Sequence, residues 1–328
     1  MNRTQRRTIP IIYTPLHQPH VPRIELSYNV VVDHPEVPER VEVMAKALQQ
    51  AGHAGSFVEP SMFPFEFAAE VHDESLLSFL EQTTTRLAES EGDSVLETPY
   101  TISPDTPLAA NTLEKAWLAS CVVLTGAEML RGGTPCVYAL ERPPGHHAGR
   151  YKYGGYCYIN HAAVAANVLK EHGRVAVLDI DFHHGNGTQD IFYDTDEVLY
   201  VSLHGHPAWA YPRFSGWPEE TGTGAGENFN LNLPLPMFTQ NDAFLDVFSQ
   251  ALEKIAWFAP AYLILSSGFD TRAGDPVGAF SLNDECYQAI GEQLAALSVP
   301  LLAVQEGGYD LEGLGKAVVA LVDGLAQS

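Results

Sequence analysis

Short apolar segments alternate with longer amphipathic segments along most of this chain, and this alternation restricts the fold more than any other feature. Five segments are apolar and rich in β-branched or aromatic residues, as buried parallel strands are: residues 137–140, 175–179, 199–203, 262–266 and 301–304. Five others have the length and composition of helices: residues 111–130, 161–171, 242–258, 284–297 and 313–325. We therefore predict an α/β fold with a central parallel sheet covered by helices on both faces.

The 328 residues contain no internal repeat, low-complexity tract or long linker, so we expect one domain over residues 1–328. Two irregular regions, residues 14–38 and 205–236, are long enough to be functional loops. No apolar run approaches the ~18 residues of a membrane span, and no secretory core follows the basic amino terminus, which predicts a soluble cytoplasmic protein with no membrane partner. The four cysteines form no C-x-x-C pair, which argues against a zinc knuckle or a disulfide framework.

The charge balance limits the partners. Lys and Arg number 18 against 41 Asp and Glu, a formal net charge of -23. Such a field repels nucleic acid and attracts small cations, so we expect no nucleic-acid partner. An acidic surface is equally typical of adaptation to a saline cytoplasm, and the charge alone does not identify a substrate.

Polar residues follow four of the five predicted strands directly, at residues 141–147, 179–183, 267–270 and 305–309. Because the carboxyl ends of parallel strands meet at one edge of a sheet, we expect these clusters to form one site. Among them, Asp181, His183 and Asp270 provide two carboxylates and one imidazole. This set suits a divalent metal with coordination positions left open for water and substrate, and it predicts a catalytic metal site.

Each cluster has a structural interpretation when it is taken alone. An aspartate at the end of a strand is more often a turn residue or a helix cap than a ligand. His146 and His147 could be a loop pair bonded to backbone, and Gly307 and Gly308 could form a tight turn. The clusters nevertheless recur at the strand ends, and this recurrence favours a common site.

Four motifs carry a family resemblance: RPPGHH at residues 142–147, DIDFHHGNGT at 179–188, GFD at 268–270 and EGGY at 306–309. They resemble motifs of the arginase/deacetylase superfamily, specifically zinc-dependent histone deacetylases and bacterial acetylpolyamine amidohydrolases. The resemblance runs from about residue 34 to the carboxyl terminus and implies a single-domain fold with about eight parallel strands. GGYCYIN at 154–160 and PEETGTGAG at 218–226 favour the polyamine branch, although second-class deacetylases share the latter.

The resemblance implies bound metals. Zinc, or ferrous iron in its place, would be held by Asp181, His183 and Asp270. Structural potassium ions would be held largely by backbone oxygen, which leaves little side-chain signature. The first potassium site would use Asp179, Asp181, His183, Ser202 and Leu203, and the second Phe192, Thr195 and Val198.

The resemblance also implies the catalytic groups. His147 would be the general base and acid, and His146 would be its electrostatic partner. Asp179 would orient His146, and Asn186 would contact His147 at a position where many family members have an aspartate. Tyr309 would donate a hydrogen bond to the tetrahedral oxyanion.

The substrate tunnel follows from the same resemblance. Tyr156 and Tyr211 would flank the methylene chain of the substrate, Gly155 would let the backbone approach, and Val277 would belong to the binding surface. Asp105 would contact a distal ammonium at the tunnel mouth. Two further carboxylates are weaker candidates for that contact: Glu25 and Glu97.

The motifs and the negative charge together predict hydrolysis of acetylated polyamines or diamines. The alternative is a second-class deacetylase that acts on acetyl-lysine in proteins. A homodimer in which residues 17–33 narrow the tunnel mouth would favour the small substrate. A protein that only senses a ligand would not need His146, His147 and Tyr309 together, and the ligands of a two-metal ureohydrolase are missing from the motifs.

Overall fold

The central feature of the fold is a parallel sheet. The computed structural model describes residues 7–27, 30–90, 94–95 and 98–327. Eight strands lie in the order β4-β1-β5-β10-β9-β6-β7-β8, and each pairs in parallel with its neighbours. The strands are β1 (Ile11–Ile12), β4 (Phe57–Val58), β5 (Cys136–Ala139), β6 (Val175–Asp179), β7 (Val198–Gly205), β8 (Asn230–Leu235), β9 (Tyr262–Ser267) and β10 (Leu301–Gln305).

Helices cover both faces of this sheet. Their bounds are α1 (Glu39–Leu48), α2 (Glu66–Ala69), α3 (Glu74–Ser90), α4 (Thr112–Arg131), α5 (His161–Lys170), α6 (Asn186–Phe192), α7 (Asn241–Phe258), α8 (Asp284–Ala296) and α9 (Leu314–Leu325). Side chains of α1, α7, α8 and α9 belong to one hydrophobic core, and side chains of α3, α4, α5 and α6 belong to a second. The fold is therefore the predicted α/β arrangement of about eight parallel strands between two helical layers.

Burial on both faces explains why the strands are apolar throughout. In β6, Ala176 and Leu178 join the first core, whereas Val175 and Val177 join the second. A strand that is covered on both sides is a nearly continuous apolar run, and in the central strands the polar residues lie toward the carboxyl end. The first polar residue after each apolar run therefore lies near the carboxyl edge of the sheet.

The five predicted strands and five predicted helices are all present, with ends that differ by a few residues. The two regions predicted as irregular are partly regular, and there the prediction was wrong. Residues 14–38 contain an antiparallel pair, β2 (Ile24–Ser27) and β3 (Val30–Asp33), and residues 205–236 contain the edge strand β8. Strand β8 was missed because Asn230, Asn232 and Pro234 interrupt the apolar pattern of a strand that has only one neighbour.

In the part of the chain that the structure describes, no helix combines the length and the apolar character needed to cross a membrane. All four cysteines are free and buried.

Candidate active site

Asp181, His183 and Asp270 meet at the carboxyl end of the sheet. Strands β6 and β9 are neighbours, so the loops that follow them begin side by side. Nδ1 of His183 lies 2.9 Å from Oδ2 of Asp270 and 3.3 Å from Oδ1 of Asp181. All three side chains are buried, and one ligand atom from each lies within 4.8 Å of the others. The donor types and their spacing fit a divalent metal with three protein ligands.

The electrostatics of these three side chains, which we call the metal cluster, favour a bound cation. Burial raises the pKa of Asp270 to about 7, and the neighbouring Asp181 adds to the rise. Burial alone would lower the pKa of His183, but its hydrogen bonds to Asp181 and Asp270 outweigh burial and raise it to about 10. Without a metal, the cluster therefore retains protons at neutral pH, and a divalent ion would displace them.

Backbone groups fix the two aspartates. The N–H of Gly307 donates to Oδ2 of Asp181 at 2.8 Å, and the N–H of Phe182 donates to Oδ1 of Asp270 at 2.8 Å. A side chain at Gly268 would place its Cβ 2.0 Å from Oδ2 of Asp181, so glycine alone fits there. The loops after β6, β9 and β10 thus hold one another in place.

His146 and His147 lie beside the metal cluster, with ring centroids 4.1 Å apart. Nδ1 of His146 is 3.0 Å from Oδ2 of Asp179, and Nδ1 of His147 is 2.7 Å from Oδ1 of Asn186. An amide oxygen can only accept, so Nδ1 of His147 carries the proton of this bond. In the neutral ring, Nε2 of His147 is then free to accept a proton.

The two histidines have opposite electrostatic environments. Burial would lower the pKa of His146, but Asp181 and Asp179 outweigh burial and raise it well above its ordinary value. Burial lowers the pKa of His147 well below its ordinary value, and the charges on His146 and His183 lower it further. One ring is therefore a stable cation and the other a neutral base, a division of roles that suits acid–base chemistry.

Tyr309 borders the same space, and Arg40 supports it from behind. The guanidinium carbon of Arg40 lies 4.4 Å from the centroid of the Tyr309 ring. The same side chain donates to the carbonyl oxygens of Gly308 at 2.5 Å and Glu306 at 2.6 Å. Gly308 has a φ of 115°, a conformation that favours glycine. Arg40 lies within a segment that the family resemblance covers, but the sequence alone did not indicate this role.

Asp275 is a second residue that the sequence analysis missed. One of its carboxylate oxygens accepts from the N–H groups of Tyr309 at 2.6 Å and Asp310 at 3.0 Å. The other accepts from Val277 at 2.9 Å and Gly278 at 3.2 Å. One carboxylate therefore joins the Tyr309 loop to the segment around Val277. No spacing pattern could have indicated this, because the two segments are far apart in sequence.

Glu306 connects the histidine loop to the last strand. Its Oε2 accepts from the N–H groups of Gly145 at 2.8 Å and His146 at 3.1 Å, and its Oε1 accepts from the hydroxyl of Ser266 at 3.0 Å. Burial raises its pKa to about 7. The sequence placed Glu306 in a motif but assigned it no contact.

A cavity of about 530 Å³ extends from the histidine pair and Tyr309 toward solvent. The five residues predicted to bind substrate all line it: Asp105, Gly155, Tyr156, Tyr211 and Val277. A Cβ at Gly155 would lie 2.3 Å from the His147 ring, so this position requires glycine. The ring of Tyr211 lies edge-on to the ring of His147, with centroids 4.9 Å apart.

Three charged residues of the lining, which we call the rim, are Glu25, Asp105 and Arg213. The hydroxyl of Tyr156 donates to Oε2 of Glu25 at 2.7 Å, and burial raises the pKa of Glu25. Asp105 is half-buried and accepts from the N–H of Gly155 at 3.1 Å. Glu97, the other carboxylate considered, lies outside the described residues.

The positions predicted to bind potassium lie close to the metal cluster or to the start of β7. Ser202 pairs with Asp179 across β6 and β7, and Leu203 follows it. Phe192 ends α6, Val198 begins β7, and Thr195 lies in the turn between them. Ligation through their backbone oxygens stays a prediction.

Comparisons with known proteins agree with this geometry. Residues 34–325 match a family model described as the histone deacetylase domain. The acetylpolyamine amidohydrolase of Mycoplana ramosa is 36% identical over 339 residues, covering 96% of this chain and 99% of that protein. The crystal structure of acetylpolyamine aminohydrolase from Burkholderia pseudomallei matches with a TM-score of 0.92 at 35% identity, covering 96% of this chain and 98% of that one. The crystal structure of the HDA15 HD domain matches with a TM-score of 0.86 at 28% identity, covering 98% of this chain and 88% of that one.

Proposed function

The chain belongs to the histone deacetylase family and is a deacetylase, and from that premise we propose that it hydrolyses acetylated polyamines or diamines to acetate and the free amine. Acetylputrescine, acetylcadaverine and acetylspermidine represent the substrate class. One observation carries this choice: the cavity that holds His147 and Tyr309 also contains two carboxylates, Glu25 and Asp105. Carboxylates in such a cavity favour a substrate with a second, cationic nitrogen. The similarity to two acetylpolyamine amidohydrolases supports the choice.

Zinc is the proposed metal, with ferrous iron as the alternative, and Asp181, His183 and Asp270 would hold it. When bound, the ion would polarise the acetyl carbonyl and lower the pKa of water. Structural potassium ions at the two predicted positions complete the proposed set of metals.

His147 is the proposed general base. Its lowered pKa keeps Nε2 free at neutral pH, so it can take a proton from the attacking water and later return one to the leaving amine. The cationic His146, held by Asp179, would stabilise negative charge that develops beside it. Asn186 would fix the ring of His147 without adding a charge.

Tyr309 is the proposed donor to the oxyanion. Burial raises the pKa of its hydroxyl well above the ordinary value, so the hydroxyl keeps its proton and can donate it in a hydrogen bond. Arg40 and Asp275 hold the backbone and ring of Tyr309, and a fixed donor needs no reorganisation when charge develops.

The second candidate is a protein deacetylase that acts on acetyl-lysine, and the match to the HDA15 HD domain supports it. The hairpin β2–β3 bears on the choice, because it carries Glu25 into the cavity lining while three valines of β3 remain exposed. A second copy packed against those valines would narrow the mouth and exclude a folded protein. We propose that the protein is a cytoplasmic homodimer whose residues 1–328 form one catalytic domain.

Comparing kcat/KM for acetylputrescine and acetylcadaverine with kcat/KM for an acetyl-lysine peptide tests the proposal. We expect the small amines to be preferred by the zinc-loaded protein. A preference for the peptide of about tenfold or more would establish the protein deacetylase instead. Replacement of Asp105 by Asn should lower kcat/KM for both diamines. Asp246→Asn, on the exposed surface of α7, is the matched control.

A further inference from the structure

Arg213 is the member of the rim that acetylated diamines do not explain. It lines the same cavity as Glu25 and Asp105, and it is solvent-exposed. In the described part of the chain, its guanidinium takes part in no hydrogen bond or ion pair, whereas Arg40 and Arg142 are both paired with the buried Glu36. A free cation at the mouth of a site for cationic amines would weaken the binding of those amines.

The backbone at Arg213 is also unfavourable for this residue type. Its φ is 67°, in the left-handed region that a side chain such as arginine rarely adopts. Residues held in such conformations cluster at ligand-binding sites, where the surrounding structure maintains them. Tyr211, two residues earlier, belongs to the wall of the same cavity. The unpaired charge indicates a ligand group with negative charge, and the backbone conformation independently suits a position that is held at a binding site.

We propose that the rim recognises a substrate that carries both an ammonium and a carboxylate, and that the substrate class includes free Nε-acetylated basic amino acids such as Nε-acetyl-lysine. Glu25 and Asp105 would face the α-ammonium, and Arg213 would bind the α-carboxylate. This inference rests on the proposed function and makes its substrate more specific. Water adds to the acetyl carbon, the amide C–N bond breaks, and the side-chain nitrogen leaves with a proton, so acetate and the free amino acid are the products.

The charge of the whole molecule strengthens the need for Arg213. A net charge of -23 repels a carboxylate, so a substrate with one requires a local cation at the mouth of the cavity. Lysine within a peptide lacks the free α-ammonium and α-carboxylate, and acetylcadaverine lacks only the carboxylate. These compounds therefore form a matched series that isolates the contribution of Arg213.

The test measures kcat/KM of the zinc-loaded protein for Nε-acetyl-lysine, its α-carboxamide and acetylcadaverine, in wild type and in Arg213→Gln. We expect the variant to lower kcat/KM for acetyl-lysine by about tenfold, the lower end for hydrogen bonds between charged groups. The value for acetylcadaverine should rise, because a repulsive charge is removed. Arg86→Gln, on the exposed surface of α3, is the control and should change neither value.

If Arg213→Gln lowers kcat/KM equally for acetyl-lysine and acetylcadaverine, the inference is overturned, because equal losses would indicate a structural role. An unchanged value for acetyl-lysine would also overturn it. Calorimetric binding of the products lysine and cadaverine provides a readout without turnover: wild type should bind lysine more tightly, and Arg213→Gln should remove the difference. If lysine binds in this way but neither acetyl-lysine nor an acetylated diamine is hydrolysed, the proposed function and the proposed substrate fail, while recognition of an ammonium and a carboxylate at the rim stands.

Discussion

Among single residues, His147 owes its low basicity to burial, and Asn186 holds its ring without adding a charge. The amide oxygen of Asn186 lies 2.7 Å from Nδ1 of His147 and adds no charge, while burial and the cation on His146 lower the pKa of His147. The hydrogen bond to Asn186 by itself raises this pKa, but an uncharged amide raises it less than a carboxylate would. Burial outweighs it, so the ring stays deprotonated at neutral pH, as a general base must be.

Replacing Asn186 by Asp should move the acidic limb of the kcat/KM profile to higher pH. A carboxylate at this distance favours the protonated ring and raises the pKa of His147. Because the base must be deprotonated, activity then appears only at higher pH. The pH dependence of kcat/KM measures this shift, and Asn241→Asp at the start of α7 is the control. A limb that stays in place or moves to lower pH would contradict the role of His147.

Tyr309→Phe removes one hydroxyl and should lower kcat by about a hundredfold to a thousandfold, with little change in KM. The reason is that the oxyanion forms only after the substrate is bound. Steady-state kinetics with acetylcadaverine checks this, and Tyr262→Phe at the start of β9 should behave as wild type. A loss below tenfold would exclude Tyr309 as the oxyanion donor.

At the scale of elements, loops that follow different strands depend on one another. Asp275, in the loop after β9, binds backbone N–H groups from the loop after β10 and from its own segment near Val277. Asp275 is therefore a positioning residue that acts through Tyr309.

Asp275→Asn should reduce kcat more strongly in wild type than in the Tyr309→Phe background. The asparagine side chain has one acceptor oxygen where the aspartate has two. Either the N–H groups of Tyr309 and Asp310 or those of Val277 and Gly278 therefore lose their acceptor. A double-mutant cycle on kcat/KM should give a coupling of at least about 1 kcal/mol. Additive losses would mean that Asp275 only stabilises the fold.

At the scale of the whole molecule, the site concentrates negative charge inside a protein that is already strongly acidic. The metal cluster buries two carboxylates, and Asp179 and Glu306 are buried close by. Protons partly neutralise this charge in the absence of a metal, because the pKa values of His183 and Asp270 rise to about 10 and about 7.

Zinc added to chelator-treated protein at pH 7 should therefore release about one to two protons per ion and raise the melting temperature, since Asp270 is about half protonated at this pH. His183 is protonated at this pH in the free cluster and must lose that proton to bind the metal. Calorimetry in buffers with different ionisation enthalpies counts the protons. His172→Gln, at an exposed site, should give the same count. Zinc binding without proton release would contradict the assigned ligands.

The hairpin β2–β3 lies apart from the central sheet and pairs with no other strand among the described residues. Val30, Val31 and Val32 are 60%, 59% and 37% exposed. A two-stranded sheet with exposed valines is marginal alone, and a second copy would cover it.

Val31→Glu should convert the dimer to a monomer in light scattering after size exclusion. The buried charge would destabilise the interface while the rest of the fold is unaffected. Met62→Glu, at a residue that is 68% exposed elsewhere, should leave the mass unchanged. A monomeric wild type at micromolar concentration would refute the proposed dimer.

The amino-acid pattern alone predicts the α/β class, because strands covered on both faces are nearly continuous apolar runs and thus reveal where each strand ends. It also determined which residues lie at those ends, including Asp181, His183 and Asp270. The local pattern could not reveal the hairpin β2–β3 or the edge strand β8, whose partly exposed residues need not be apolar.

Which groups from distant segments meet depends on the packing of the folded chain. Arg40 beneath Tyr309, Asp275 between two loops and Arg213 at the rim leave no periodic signal, because contacts between segments far apart in the chain depend on the packing of the whole sheet. The opposite pKa shifts of His146 and His147 arise in the same way. Adjacent in sequence, the two rings differ because the fold places carboxylates around His146, whereas burial and the neighbouring cations act on His147.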